Sequence, residues 1–159
     1  MNKKIAFIFF AVVLICFAVF VAIIYWTGGM EPPVVSGKIF RVGDNNFQVE
    51  IAETMSAMEK GLGDRDSLAK DHGMLFIFPV SGTYPFWMKG MYFPIDIVWI
   101  RGDRVVGTTE NMQAEPGVAD EALKLYYPPE AIDKVLEVSA GAVAHDGIQA
   151  GDSAALVDR

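Results

Sequence analysis

The chain has 159 residues, 52% of them hydrophobic, with 13 basic residues against 20 acidic ones and a formal net charge of −7. An acidic chain without a basic cluster excludes a nucleic-acid partner, because backbone binding needs grouped Lys and Arg to displace counterions. Cys16 is the only cysteine, which excludes an intrachain disulfide and leaves packing alone to hold any domain outside the cytoplasm.

The first element is the run Ile5–Trp26, 22 residues with no charge, Pro or Gly, preceded by Lys3 and Lys4. As a helix it is about 33 Å long, which suits a hydrocarbon core of roughly 30 Å. Tyr25 and Trp26 stand at its exit, where amphipathic rings favour the headgroup layer. The positive-inside bias places residues 1–4 in the cytoplasm. The expectation is a single-pass anchor in the cytoplasmic (inner) membrane at 5–26, with the C-terminal part outside the cytoplasm and membrane lipid as partner of the helix. The alternative is a cleaved signal peptide. Such a peptide has an apolar core of about 7–15 residues and a small-x-small cleavage site; this run is longer, and YWTGGMEPP after it has no such site. Cys16 lies in mid-span, without the small residues that precede a lipidated cysteine. Ala18 and Ala22 form one small-xxx-small pair, a pattern of helix association.

Residues 27–37 carry Gly28, Gly29, Pro32, Pro33 and Gly37 and read as a linker. Residues 38–159 are then one domain, long enough for a core of its own. Lys38–Val42 and Phe47–Ile51 alternate around Gly43-Asp44-Asn45-Asn46 and predict a hairpin. Thr54–Lys60 predicts a short helix stopped by Gly61. Gly73–Pro79, Phe93–Ile100, Arg104–Thr109, Val135–Ser139 and Ser153–Val157 predict strands, with one helical turn at Ala131–Lys134. No helix is long enough to cover a parallel sheet. The expected fold is mainly β: an antiparallel β-sandwich or barrel-like domain with short helices, preceded by one transmembrane helix.

The densest constellation of polar and aromatic residues is His72, then Phe86-Trp87-Met88-Lys89, then Asp96. An Asp inside an apolar strand is costly unless it is hydrogen-bonded or paired. Asp96 therefore either accepts backbone N–H groups or pairs with Lys89 to fix a loop, or it forms the polar floor of an aromatic cleft. Phe86 and Trp87 are core or cleft lining. Tyr126 and Tyr127, before Pro128-Pro129, pack against the sheet in the favoured reading. His72 and His145 are far apart, with no H-x-x-x-H, HExxH or CxxC, so the sequence calls for no metal and no cofactor. G-x-S-x-G is absent as well, which removes the usual hydrolase elbow.

With these residues the chain resembles the DUF192 (UPF0127) family. The likeness is carried by GLGDRDSL at 61–68, GMLFIF at 73–78, FWMKGMYFPIDIVWI at 86–100, VLEVSAG at 135–141, Gly147-Ile148 and Gly151-Asp152. It implies a compact β-rich fold, export or membrane anchoring and no established activity. It singles out Trp87, Lys89 and Asp96 without assigning them roles. The family usually has Met where Gly63 stands, and Asn-Thr where Gly90-Met91 stand, which removes two hydrogen-bonding side chains beside Lys89 and Asp96.

Three functional expectations follow. The first is a membrane-tethered binding or accessory module for a small-molecule or protein ligand, with an aromatic cleft around Trp87 and with Asp96 or Lys89 at its floor. The second is a cell-envelope enzyme using Asp96 in that cleft, near His72 or a carboxylate such as Glu53 or Glu110. The third is a structural partner of another membrane protein.

Overall fold

The computed structural model describes residues 35–157. The expected span at 5–26 lies outside the described residues, and none of the helices within them is long and apolar enough to cross a membrane.

Seven strands form one sheet: β1 (Val35–Val42), β2 (Asn45–Ala52), β3 (His72–Gly82), β4 (Ile95–Arg101), β5 (Arg104–Met112), β6 (Ile132–Ser139) and β7 (Ala154–Val157). Their order is β5-β4-β6-β3-β2-β1-β7. The sheet curls until its two edges meet at one end. There the Val105 N–H donates to Asp152 O at 2.9 Å, Gly151 N–H to Val105 O at 2.8 Å and Ala154 N–H to Asp103 O at 2.8 Å. The result is a half-barrel, mainly β as expected, but one curled sheet rather than two packed ones. The sheet is not wholly antiparallel either, since β2 and β3 run parallel, with Val49 opposite Gly73 and Ile51 opposite Leu75. A parallel pair needs a crossover of about a dozen residues or more. Glu53–Asp71 supplies it, with the short helix α1 (Met55–Lys60) inside.

The hairpin forms as expected, with Val42 opposite Asn45, so its turn is only Gly43-Asp44. β1 begins at Val35, ahead of the boundary drawn at residue 38. The helical turn expected at Ala131–Lys134 is absent. Ile132 is already strand, fully buried, and pairs with Gly82; cross-strand pairing and burial overrule a weak local preference. A second helix, α2 (Ala142–Asp146), lies between Gly141 and Gly147, where the sequence predicted no element. A 3₁₀ turn occupies Asp120–Ala122.

Both faces of the sheet are covered, which is why Ile95–Ile100 is buried at every position. The concave face holds a core of Phe40, Phe47, Val98, Ile100, Leu136 and Val138, closed by Val143 and Ile148 around α2. The convex face carries Met74, Phe76, Ile97, Trp99 and Val135. Leu62, Phe86, Met88 and Met91, from the connections after α1 and before β4, cover that face. Trp99 packs there with its indole N–H donating to Thr109 Oγ1 at 2.9 Å. Tyr126 joins this cluster, whereas Tyr127 is exposed, so only one of the two rings packs as expected.

Candidate functional site

The cover over the convex face is incomplete. Between α1, the second half of β3 and residues 84–91 lies an apolar cleft of about 450 Å³. Phe76 and Phe78 reach it because alternate residues of β3 share a face. Phe86 stands edge-on to Phe76, with ring centroids 5.1 Å apart, and to Trp99 at 5.5 Å. Reciprocal backbone bonds with Tyr126, both 2.9 Å, fix Phe86 in place. Tyr84 stacks on Phe78 at 4.0 Å and donates its hydroxyl to Val80 O at 2.7 Å.

The opposite wall is α1, which contributes Met55 and Met58. Thr54 caps it, accepting the Ala57 N–H on Oγ1 at 3.2 Å. No residue of α1 is fully buried, and Met55 is 83% exposed at the mouth. Gly61 ends the helix at φ 50°, ψ −136°, a conformation in effect reserved for glycine. Its missing side chain matters too: a Cβ there would sit 3.5 Å from Phe76 Cζ and 3.8 Å from an oxygen of Glu137. The Gly61 backbone thus lies against Phe76 and the Glu137 carboxyl, and a Cβ there would make van der Waals contact with both. Gly90, in the 84–91 wall, also takes a positive φ of +67° that glycine adopts without strain.

Glu137 is the buried polar group of the cleft. It sits on β6 opposite Met74 of β3 and Ile97 of β4, at the middle of the convex face. Its residue exposure is 5%, and among the described residues its Oε2 is the only buried side-chain oxygen or nitrogen without a hydrogen-bond partner. Burial pushes its pKa up to about 8, against a smaller lowering by the Arg65 charge. The carboxyl is therefore predominantly neutral at pH 7. Arg65 is committed elsewhere, since its guanidinium donates to both oxygens of Glu50 at 2.5 and 2.7 Å. This forked hydrogen bond holds the Glu50 carboxyl below its usual range and raises Arg65.

The sequence-predicted residues divide. Phe86, Trp87 and Lys89 come together on the cleft wall. Trp87 is 37% exposed at the mouth. Lys89 turns outward and pairs with Asp120 at 2.5 Å, which raises its pKa. Asp96 lies elsewhere. It pairs across the ladder with Val138, on the concave face, so the sheet separates it from the cleft and from Lys89. Fully buried, it accepts the Asn111 N–H at 2.7 Å and the Val143 N–H at 3.0 Å, tying β5 and the start of α2 to β4. His72 is exposed at the first residue of β3, away from the cleft end of that strand, and Glu53 and Glu110 are exposed. The cleft expected around Trp87 is thus present, but its floor is Glu137 instead of Asp96 or Lys89. Glu137 had a sequence signal: a carboxylate within Val135-Leu136-Glu137-Val138 is buried whenever both faces of its strand are covered. Among the described residues no three His, Cys, Asp or Glu side chains converge to hold a metal ion.

Fold and site together define a small curled-sheet domain with a recessed apolar cleft and a buried acid at its floor. Residues 38–156 match the model of DUF192, described as "Uncharacterized ACR", and the chain belongs to that family. Among solved structures it is similar to a Sinorhizobium meliloti protein described as a candidate transcription regulator, with a TM-score of 0.70 and 28% identity over 79% of this chain and 97% of that one. It is also similar to a protein of unknown function from Novosphingobium aromaticivorans, with a TM-score of 0.67 and 26% identity over 74% of this chain and 83% of that one. No curated relative matches the chain.

Proposed function

We propose that the chain is a membrane-tethered extracytoplasmic binding module whose cleft takes a small, largely apolar molecule. The observation that carries this reading is the cleft itself: about 450 Å³, lined by aromatic and Met side chains, and open beside Trp87. Concave apolar sites with few polar groups are the usual architecture of small-molecule binding. Met55 and Met58 suit a wall that adapts to its ligand, since thioether chains repack at low cost. The tether rests on the apolar run Ile5–Trp26 and on Lys3-Lys4 before it.

Fluorine NMR of the full chain, labelled with fluorotryptophan and held in lipid nanodiscs, tests the cleft. Trp87 reports the cleft mouth, and Trp26 reports ligand that merely enters lipid. Titration with nonane or methyl hexyl ketone is expected to shift Trp87 saturably. A Met58→Trp substitution that fills the cleft abolishes the saturable part. A Trp87 response that only follows Trp26, without saturation, overturns the reading. The tether is tested separately by alkaline extraction of membranes. The full chain stays in the pellet, and a chain lacking residues 5–26 is released.

A further inference from the structure

The cleft is mostly apolar, with Glu59, Lys60 and Lys89 on its wall, and its one buried polar side chain is an acid with an unpartnered oxygen. Leaving a buried polar atom unpaired carries a cost comparable to a lost hydrogen bond, and in native structures such an atom often marks a missing partner. The Gly61 backbone lies against the carboxyl, where a Cβ would sit 3.8 Å from Oε2, and Glu137 keeps 5% of its surface exposed among the residues that line the cleft. We propose that Glu137 is the specificity anchor of the cleft, donating a hydrogen bond from its protonated carboxyl to a carbonyl or ether oxygen of a neutral, otherwise apolar ligand. This proposal rests on the binding reading above and names the ligand class.

The surrounding charges select that class. Arg65, paired with Glu50, is the cation whose charge bears on Glu137. Lys60 and Lys89 stand at the cleft wall with Glu59, and their cationic groups are paired to Asp64 and Asp120. The neighbours of Glu137 on the flanking strands, Met74 and Ile97, are uncharged. An alkylammonium ligand would have to ionise Glu137 inside an apolar wall and approach Arg65 as a like charge. A carboxylate ligand would bury a second acid against the first. A neutral acceptor needs neither change, because the carboxyl holds its proton until about pH 8.

The test uses the full fluorotryptophan-labelled chain in nanodiscs, with methyl hexyl ketone, octylamine and nonane as probes. The ketone is expected to bind more tightly than nonane below pH 8. Its affinity then falls as the pH rises further, approaching tenfold per unit for one linked proton. Octylamine gives no saturable shift at Trp87. Glu137→Gln keeps an N–H donor, so it retains ketone binding and abolishes the alkaline fall. Glu137→Leu removes the donor, weakens the ketone by roughly tenfold and leaves nonane unchanged. In infrared difference spectra the ketone shifts the protonated-carboxyl band of the wild type, and that band is missing from the Gln variant. Equal, pH-independent binding of ketone and nonane would overturn the anchor while leaving the binding reading intact. Preferential binding of octylamine would overturn the ligand class. Absence of saturable binding by every probe would overturn the binding reading and the anchor together.

Discussion

Two carboxyl groups lie buried on opposite faces of one sheet, and their surroundings differ in kind. Asp96, on the concave face, is fully enclosed and spends an oxygen on each of two backbone N–H groups, from Asn111 and Val143. Glu137, on the convex face, is nearly as buried, yet its Oε2 has no partner and its side chain borders the cleft. Burial alone therefore does not mark a functional acid. The distinction lies in whether the fold already uses the group. A satisfied carboxylate holds elements together, whereas an unsatisfied one is destabilising until something else meets it.

The comparison is sharpened most by removing Asp96. Asp96→Ala leaves a buried N–H donor at Val143 and a partly buried one at Asn111 without an acceptor and opens a small void. The expected loss in stability is about 3–5 kcal/mol, read by urea denaturation. Asp96→Asn keeps one acceptor oxygen and falls between the variant and the wild type. A loss below about 1 kcal/mol for the Ala variant would show that water satisfies those donors as well as Asp96 does, and the contrast between the two acids would collapse.

Glu137 predicts the opposite sign. Its folded-state pKa of about 8 stands above the ordinary 4.5. Between those values the folded chain holds a proton that the unfolded chain has released. Its contribution to stability is therefore complete below pH 4.5 and is lost as the pH rises towards 8, by about 1.4 kcal/mol per unit. Glu137→Gln cannot ionise. It should flatten this slope and be more stable than the wild type by roughly 3 kcal/mol at pH 7, with little difference at pH 4. Denaturation midpoints across that range check it, and an unchanged slope would mean that Glu137 reaches water and titrates normally.

Much of this arrangement was legible in the sequence. The hairpin, α1 with its stop at Gly61 and the strands around Gly73–Pro79 and Phe93–Ile100 follow from alternation and turn residues. A cleft near Phe86-Trp87 was one of two alternatives there, the other being plain packing. Other parts depend on tertiary placement. The parallel pairing of β2 with β3 is decided by how Glu53–Asp71 crosses the sheet, and no local period encodes that path. The floor of the cleft is decided by strand parity and partner. Asp96 and Glu137 are both charged residues in apolar strands, and only the ladder, which sets Asp96 against Val138 and Glu137 against Met74, assigns them to different faces. Asp96 drew attention by lying near Trp87 in sequence, while Glu137 lies fifty residues beyond it on the same face of the sheet as Trp99.

A smaller effect is expected at Arg65, the cation between the two regimes of pairing. Arg65→Met dissolves the forked bond to Glu50, which is only partly buried, and should cost about 1 kcal/mol near neutral pH. Glu50 is held below its ordinary value, so this contribution is present above pH 4.5 and disappears as the pH falls through the lowered pKa. The same substitution removes the positive charge that restrains Glu137, so the Glu137 carboxyl should titrate at a higher pH than in the wild type. Infrared titration of the protonated-carboxyl band reads that shift directly. A movement towards lower pH would show that Arg65 acts on Glu137 mainly by excluding water.

Lys89 should matter least, although it borders the cleft and lies within the most recognisable stretch of the sequence. Its ammonium is exposed and its partner Asp120 is more so, with side-chain exposures of 53% and 64%. An ion pair in water exchanges hydration for a contact that salt screens and side-chain entropy opposes. Lys89→Ala is therefore expected to leave the thermal midpoint unchanged at both low and high salt, and to leave ketone binding at Trp87 intact. The backbone of this segment is what the fold uses, through the Asp64 N–H donated to Gly90 O at 2.8 Å. That bond survives any change of the Lys89 side chain. A marked loss of ketone affinity in Lys89→Ala, with stability unchanged, would place the ligand's polar group at the mouth instead of the floor and transfer the anchoring role from Glu137 to Lys89.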